Sequence, residues 1–571
     1  MGADRPQRAA RHVVLLVLVS APLLFVGLSN HGFWRPDEPF VVEVSREMAV
    51  SGDWATPRLN GEPFMEKPPL HYAATALFLR GMGVTPLAAR LPSFLSALLT
   101  IIGTYLLGAR LFDGRTALWG ALLLPTVFLF FYTAHFCIVD ATLLPCVTLG
   151  FLSGAYAFGD QRRAWAITGA YAAGALAFLA KGVVGPGLIA IGIISFATMQ
   201  KDWRFFAWRE HAAGLGIFAA GLIAWVLPLW ESGHTALIYE ALWTNTLGRF
   251  LPVPDLVPRN DKFGLHVHGP LAYLVGLPGG FMPWTPLLLM VVLLSLEAWL
   301  RRSDRDGFST GERFLWACFL PAFVLLSIAS TKRNIYLLPL YPLLALMVAR
   351  HARRLADSEA RPRRLEWIAV VLQAVLACGA SLAVPANYYF QSSGNSGGAV
   401  GWPGMATAAG AMAVAVAITT ILARRLWQGR LSETFRLIWA QAALAMVVFT
   451  VLCVPALDAE RSLSPFFKEA VRIENERHRT PHLFTKHESF IGLADLAFQS
   501  VLTPPDLAGD TDSVDVLTTE HGMKELNCRT SSTCTVLTKW HTHEAGTLRT
   551  LCLISLSRSR GTAGNEPVTS E

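Results

Sequence analysis

The feature that most limits how this chain can fold is the length of its apolar runs. Thirteen of them lie at about 12–30, 88–109, 116–134, 141–158, 164–180, 183–199, 211–230, 270–298, 314–330, 335–349, 366–386, 404–423 and 437–456. Most are close to the roughly 17–25 residues that cross a hydrocarbon core as a helix. A lipid-embedded segment must satisfy its own backbone N–H and C=O groups, and a helix does so internally. The expected fold is therefore an all-α polytopic membrane domain of about thirteen helices over residues 1–456. A small α/β C-terminal domain is expected over 457–557, with a disordered tail over 558–571. Only 16% of the 571 residues are charged and 53% are hydrophobic, against about 25% charged in a soluble domain. A soluble enzyme is excluded. The formal net charge of +7 comes from short Lys/Arg clusters between apolar runs rather than from one basic domain, so it reads as membrane topology and not as nucleic-acid binding.

The placement of those clusters orients the chain. With a cytoplasmic N-terminus, the inner loops carry Arg110 and Arg115, Arg162 and Arg163, Lys201, Arg204 and Arg209, then Arg301, Arg302 and Arg305, the run Arg350–Arg364, and Arg424 with Arg425. Every inner loop is then basic, as the positive-inside rule requires. An odd number of helices puts the segment from Leu457 outside, in the periplasm if the membrane is a bacterial inner membrane. Arg5, Arg8 and Arg11 precede the first apolar run as in a signal peptide, but no small-residue cleavage site follows before His31, so that run reads as a retained helix. Cys137, Cys146, Cys318, Cys378 and Cys453 lie in or beside apolar runs and read as small hydrophobes. Cys528 and Cys534 flank a polar loop and could close a disulfide in an oxidising compartment.

The outer segment from His31 to Thr85 is too polar to span and too long for a mere connection. It carries Glu43–Met48 and Leu70–Leu79 as short interfacial helices. Asp37 and Glu38 open it, and Glu66 and Lys67 precede Pro68 and Pro69. Asp37 can be a helix cap or a functional acid, and Lys67 a snorkelling lysine or a functional cation. Further outer cations are Arg58, Lys181, Arg249, Arg259, Lys262, Lys332 and Arg333, and Asp140 is a second acid on that side. Such cations at a membrane edge are what an anionic lipid phosphate needs as ligand or leaving group. Glu66 and His268 could share a divalent cation, although an unliganded polar histidine is the commoner case.

At these residues the chain resembles a known family. Asp37-Glu38-Pro39, Arg46-Glu47-Met48, Ser51-Gly52-Asp53-Trp54, Thr56-Pro57-Arg58-Leu59-Asn60-Gly61, Glu66-Lys67-Pro68-Pro69-Leu70 and Ala89-Arg90-Leu91-Pro92 are similar to the bacterial aminoarabinose transferases of the GT-C glycosyltransferase class, which are related to protein mannosyltransferases. Asp140, Lys181-Gly182, Leu247-Gly248-Arg249-Phe250, His268-Gly269-Pro270 and Thr331-Lys332 with Tyr336-Leu337-Leu338-Pro339 extend the resemblance over roughly the first 350 residues. It implies an inner-membrane enzyme that moves a sugar from an undecaprenyl or other polyprenyl phosphate carrier to lipid A or another envelope acceptor. It further implies Asp37 as catalytic acid/base, Asp140 as a second functional acid, and Lys67, Lys181, Arg249 and Tyr336 around the carrier phosphate. Glu66 and His268 would form a metal site for zinc or magnesium; no nucleotide cofactor is implied. Phe40 and Val41 stand where the family usually has a basic residue and a tyrosine, and Phe64-Met65 replace its usual tyrosine before Glu66, which leaves sugar and acceptor open.

The expected chemistry is a single displacement at the anomeric carbon, with Asp37 orienting or deprotonating the acceptor while the cations stabilise the departing phosphate. A protein O-mannosyltransferase-like activity is one alternative. A transporter or flippase is another, disfavoured because the notable charges gather at one membrane edge and no internal repeat is visible.

Overall fold

The computed structural model describes residues 4–34, 36–158, 164–207, 209–244, 269–300, 308–329, 331–358, 362–394, 402–461, 463–484, 488–498, 513–519, 523, 534–544 and 547–557. Two compact units divide the chain: Met1–His31, Met48–Pro57 and Phe64–Ala456 form the first, and Gly32–Glu47, Arg58–Pro63 and Leu457–Glu571 the second.

The apolar runs of the first unit are helical. Its early helices are α1 (Asp4–Phe25), the end of α2 (Glu38–Ser51), α3 (Leu70–Met82), α4 (Pro86–Leu111), α5 (Gly114–Leu123), α6 (Phe128–Ala134), α7 (Val139–Ala157), α8 (Ala164–Lys181), α9 (Val184–Met199) and α10 (Glu210–Glu231). Later helices include Thr285–Leu300, Thr310–Ile328, Tyr341–Asp357, Arg364–Gly394, Trp402–Trp427 and Leu431–Val448. Among the described residues nine helices are long and apolar enough to cross a membrane, or ten when Gly114–Thr126 and Phe128–Ala134 count as one span bent by 69°. The bend falls beside Pro125, which lacks the N–H a continuous helix would use. The expected thirteen is therefore not reached by length and composition. Val184–Met199 and Thr285–Leu300 are apolar but only 16 residues each, about 24 Å at 1.5 Å per residue, short of a roughly 30 Å core.

Arg90 holds the end of α1. Its side chain is fully buried, and Nη1 donates to the Leu28 carbonyl at 2.8 Å and the His31 carbonyl at 3.2 Å. These carbonyls lie just past a helix C-terminus, where backbone acceptors have no partner within the helix.

The second unit contains a four-stranded sheet. After the short hairpin β1 (Arg58–Leu59) and β2 (Glu62–Pro63), its strands are β3 (His482–Phe484), β4 (Ser513–Thr519), β5 (Cys534–Glu544) and β6 (Thr547–Ser557). The sheet order is β3-β4-β6-β5, with β3 parallel to β4 and the other pairs antiparallel. Helices Ser464–Arg477 and Glu488–Phe498 supply Phe466, Phe467, Ala470, Phe490 and Ala494 to a core shared with Leu483, Leu517, Leu551 and Leu553. The α/β character expected after residue 457 is present. Cys528 lies outside the described residues.

The hairpin turns at Asn60 (φ 57°) and Gly61 (φ 75°), the Asn-Gly pair that a two-residue turn with positive φ at both positions favours. The Gly61 N–H donates to both carboxylate oxygens of Glu47, at 3.0 and 3.3 Å.

Glu474 is a stored liability of this unit. Its side chain is fully buried, and among the described residues neither carboxylate oxygen finds a hydrogen-bond donor. Burial, with Asp515 nearby, raises its pKa to about 7 against the opposing pull of Arg477 and Arg479. A carboxyl whose pKa is raised on folding stabilises fully only below its unfolded value and loses that contribution as pH rises through the folded value. Glu474→Gln should therefore melt progressively higher than the parent between pH 5 and pH 8, with little difference at the acidic end. Thermal unfolding across that range checks this.

Candidate functional site

Lys67 sits in the irregular stretch between Met65 and α3. Pro68 and Pro69 cannot donate backbone hydrogen bonds, so apolar anchoring takes over from backbone pairing. Met65 is buried with Phe178 of α8, Trp225 and Leu229 of α10, and Ala241, and Trp225 Nε1 donates to the Ala55 carbonyl at 3.0 Å. On the other side α3 begins where the Ala73 N–H donates to Pro69 O at 2.8 Å. Held between these anchors, Lys67 Nζ donates to Glu66 Oε1 at 2.7 Å and to Glu66 O at 3.1 Å.

Asp140 lies in the first turn of α7 and Lys181 is the last residue of α8. The two helices follow one another with a short connection, which brings the start of one to the end of the other. Lys181 Nζ donates to Asp140 Oδ1, and both residues are buried. Gly182 follows in the left-handed region at φ 70°, a conformation glycine adopts without strain at a helix end. Lys181 Nζ also stands 3.9 Å from the centre of the Tyr336 ring, within cation–π range. Tyr336 is carried by the short 3₁₀ segment Asn334–Leu340.

Glu66, Lys67, Lys181, Tyr273, Thr331 and Tyr336 line one small cleft, with about 50 Å³ of enclosed space. The structure thus brings together Glu66, Lys67, Asp140, Lys181 and Tyr336. An ammonium carries three N–H donors and can hold a carboxylate and a phosphate oxygen at once. Tyr273 was hidden in the sequence within an apolar run; its ring is buried, and its hydroxyl donates to the Arg333 carbonyl at 3.3 Å. Arg249 and His268 lie outside the described residues.

Asp37 belongs to the second unit. It precedes α2, and its carbonyl accepts the Val41 N–H at 3.2 Å, so by position it caps that helix. The adjoining turn is held by Trp34, whose N–H donates to Glu38 Oε2 at 3.0 Å and whose indole Nε1 donates to Asp458 Oδ1 at 2.6 Å. The helix expected at Glu43–Met48 runs longer, from Glu38 to Ser51.

Among the described residues, the group able to surround a metal ion is Glu43, Glu47 and Asp495, with ligand atoms within 4.8 Å of one another. A protein cation already serves it: Arg46 donates to Glu43 at 2.6 and 2.8 Å. Burial raises Glu43 to about 7, against the hydrogen bond and charge of Arg46. Glu66, the carboxylate expected to bind a metal with His268, accepts a hydrogen bond from the Lys67 ammonium.

The family of dolichyl-phosphate-mannose-protein mannosyltransferases matches residues 66–230. An undecaprenyl phosphate-α-4-amino-4-deoxy-L-arabinose arabinosyl transferase of Edwardsiella ictaluri is 26% identical over 352 residues, 60% of each chain. A second enzyme of that description, from Proteus mirabilis, is 28% identical over 348 residues, 59% of each chain. The match thus spans about three fifths of the length of these curated relatives. The crystal structure of apo ArnT from Cupriavidus metallidurans aligns over 95% of this chain and 98% of its own, with a TM-score of 0.66 at 20% identity. The same protein bound to undecaprenyl phosphate aligns with a TM-score of 0.64 at 19% identity, over 95% and 97% of the two chains. The fold is that of a multi-pass GT-C-type membrane protein. In its particulars it is the ArnT fold, with a small sheet domain after the helices.

The Lys181–Asp140 pair yields a test of this site. Removing one partner of a buried pair leaves an uncompensated charge, at a cost of about 3–5 kcal/mol. Asp140→Asn should lower the melting temperature in detergent, and adding Lys181→Met should recover part of the loss. Additive destabilisation in the double variant, measured against both single variants, would show that the pair is not coupled.

Proposed function

We propose that this protein is a membrane glycosyltransferase that moves a sugar from an undecaprenyl or related polyprenyl phosphate to an acceptor in the bacterial envelope. The observation that carries the reading is the convergence of Lys67 and Lys181 on one cleft at a helix boundary, beside Tyr336 and Asp140. The arabinosyl transferases named above, similar to this chain over about three fifths of their length, make aminoarabinose or a related sugar and lipid A the first donor and acceptor to test. The mannosyltransferase family matched over 66–230 keeps a hexose and a protein serine or threonine as the second reading. The basic loops support a protein of the bacterial inner membrane with its N-terminus cytoplasmic and its C-terminal unit periplasmic.

In the proposed reaction an acceptor oxygen attacks the anomeric carbon. The bond from that carbon to the acceptor forms as the bond to the phosphate oxygen breaks, so the configuration inverts and polyprenyl phosphate leaves. Lys67, Lys181 and Arg249 neutralise the phosphate as it departs. Asp140 holds Lys181 in place, and the Tyr336 ring limits where that ammonium can sit. Asp37 takes the proton of a hydroxyl acceptor, or only positions an acceptor that is already an ionised phosphate. No step is assigned to a metal.

Losing one preorganised donor to a developing anion costs on the order of 10²–10³ in turnover, or about 2.7–4 kcal/mol. Lys67→Ala should show a loss of that size with labelled carrier, while Asp37→Asn should abolish transfer to a hydroxyl acceptor. Near-normal turnover in both folded variants would sink the assigned roles. Mass spectrometry of envelope lipids and proteins with and without this protein would separate the two acceptor readings.

Chelation combined with elemental analysis is expected to leave turnover unchanged. Loss of activity that returns with zinc or magnesium would place a cation in the reaction and require Lys67 to release Glu66.

A further inference from the structure

The Glu66–Pro69 stretch has no regular secondary structure, yet Lys67 must keep its distance from a lysine carried by a different helix. One fully buried side chain links the two parts. His71, in the first turn of α3 and four residues after Lys67, has its Nδ1 hydrogen-bonded to Thr142 Oγ1 at 2.7 Å. Its Nε2 lies 3.7 Å from Cys137 Sγ. Thr142 and Cys137 flank Asp140, two residues after it and three before. The imidazole therefore grips the Asp140 turn from both sides while standing on the helix that Lys67 leads into.

We propose that His71 is a positioning residue that sets the Lys67 stretch against the Asp140–Lys181 pair, so that both lysines address one phosphate. The inference rests on the polyprenyl phosphate reading above. Burial lowers the His71 pKa to about 4 although Asp140 pulls it upward. The imidazole is thus neutral at physiological pH and does not compete with Lys181 for Asp140. A charged group in its place would disturb the Asp140–Lys181 pair that it aligns.

The test compares His71→Ala, His71→Asn, His71→Gln, Thr142→Val and the His71→Ala/Thr142→Val double variant. Each is assayed for melting temperature, binding of undecaprenyl phosphate in detergent and kcat/KM with labelled carrier. A misplacement of about 1 Å costs on the order of 10²-fold in rate, so His71→Ala and Thr142→Val should each lower kcat/KM by about 10- to 100-fold at near-parental melting temperature. Thr142→Val is close in shape to the parent and keeps the test open if His71→Ala fails to fold. The double variant should lose no more than the worse single variant, because both remove the same bond. His71→Asn should restore most of the activity, since its amide stands near the Nδ1 position, whereas His71→Gln, whose amide stands near Nε2, should not. Parental kcat/KM in folded Thr142→Val, additive losses, or equal activity of the Asn and Gln variants would overturn the proposal. If the parent binds undecaprenyl phosphate and transfers from it but the variants are unaffected, only the role of His71 falls. If the parent binds no undecaprenyl phosphate, the functional reading falls and takes this inference with it.

Discussion

A lysine ammonium buried at the boundary of an apolar helix bundle has to be neutralised where it stands, and the rest of the site follows from how that is done here. Desolvating an isolated charge costs several kcal/mol, which pairing and hydrogen bonding must offset. Lys181 is offset by Asp140 on one side and by the face of Tyr336 on another. Those contacts tie the end of α8, the start of α7 and the 3₁₀ segment Asn334–Leu340 together. The cleft is the space left where these three elements meet the Lys67 stretch.

That stretch has a different kind of support. Two prolines deny it backbone pairing, so it is fixed by Met65 in an apolar cluster before it and by α3 after it. A cation on such a segment can be aimed without being built into a helix, and Glu66 holds its charge in the meantime. A phosphate entering the cleft adds to the partners of the two lysines, since each ammonium has donors for more than one acceptor. The chemistry most natural to such a cleft is stabilisation of an anionic leaving group.

The second unit concentrates a different set of buried charges. Glu43 and Arg46 form a close pair within one turn of α2, Arg477 pairs with Asp515 at 2.9 Å, and Glu474 is buried with no hydrogen bond to its carboxylate among the described residues. The turn carrying Asp37 is organised by polar contacts of Trp34 with Glu38 and Asp458. Asp37 stands beside that turn, with its carbonyl accepting the Val41 N–H at 3.2 Å.

Much of this was legible in the chain itself. Apolar runs of spanning length and basic residues between them require a helical membrane protein, because lipid leaves the backbone no partner but itself. Glu66, Lys67, Asp140 and Lys181 could be named as candidates because charged groups are costly at a membrane edge and so stand out, and Tyr336 because its motif resembles that of a known family. Other matters were not legible. Helix count depends on where a run is broken, and Pro125 bends one span by 69°. Sequence also cannot say that Lys67 pairs with its neighbour Glu66 while Lys181 finds Asp140, 41 residues away. His71 and Tyr273 gave no signal, since one polar side chain in a mostly apolar helix looks the same whether it is a satisfied core residue or a wall of a site. What the residues determined by themselves was the solvent of the fold and the chemical types at its edge, because both follow from composition and spacing. Which charge neutralises which, and therefore what surrounds the cleft, was decided only by tertiary packing, because ion pairs form between groups brought close in space rather than along the chain.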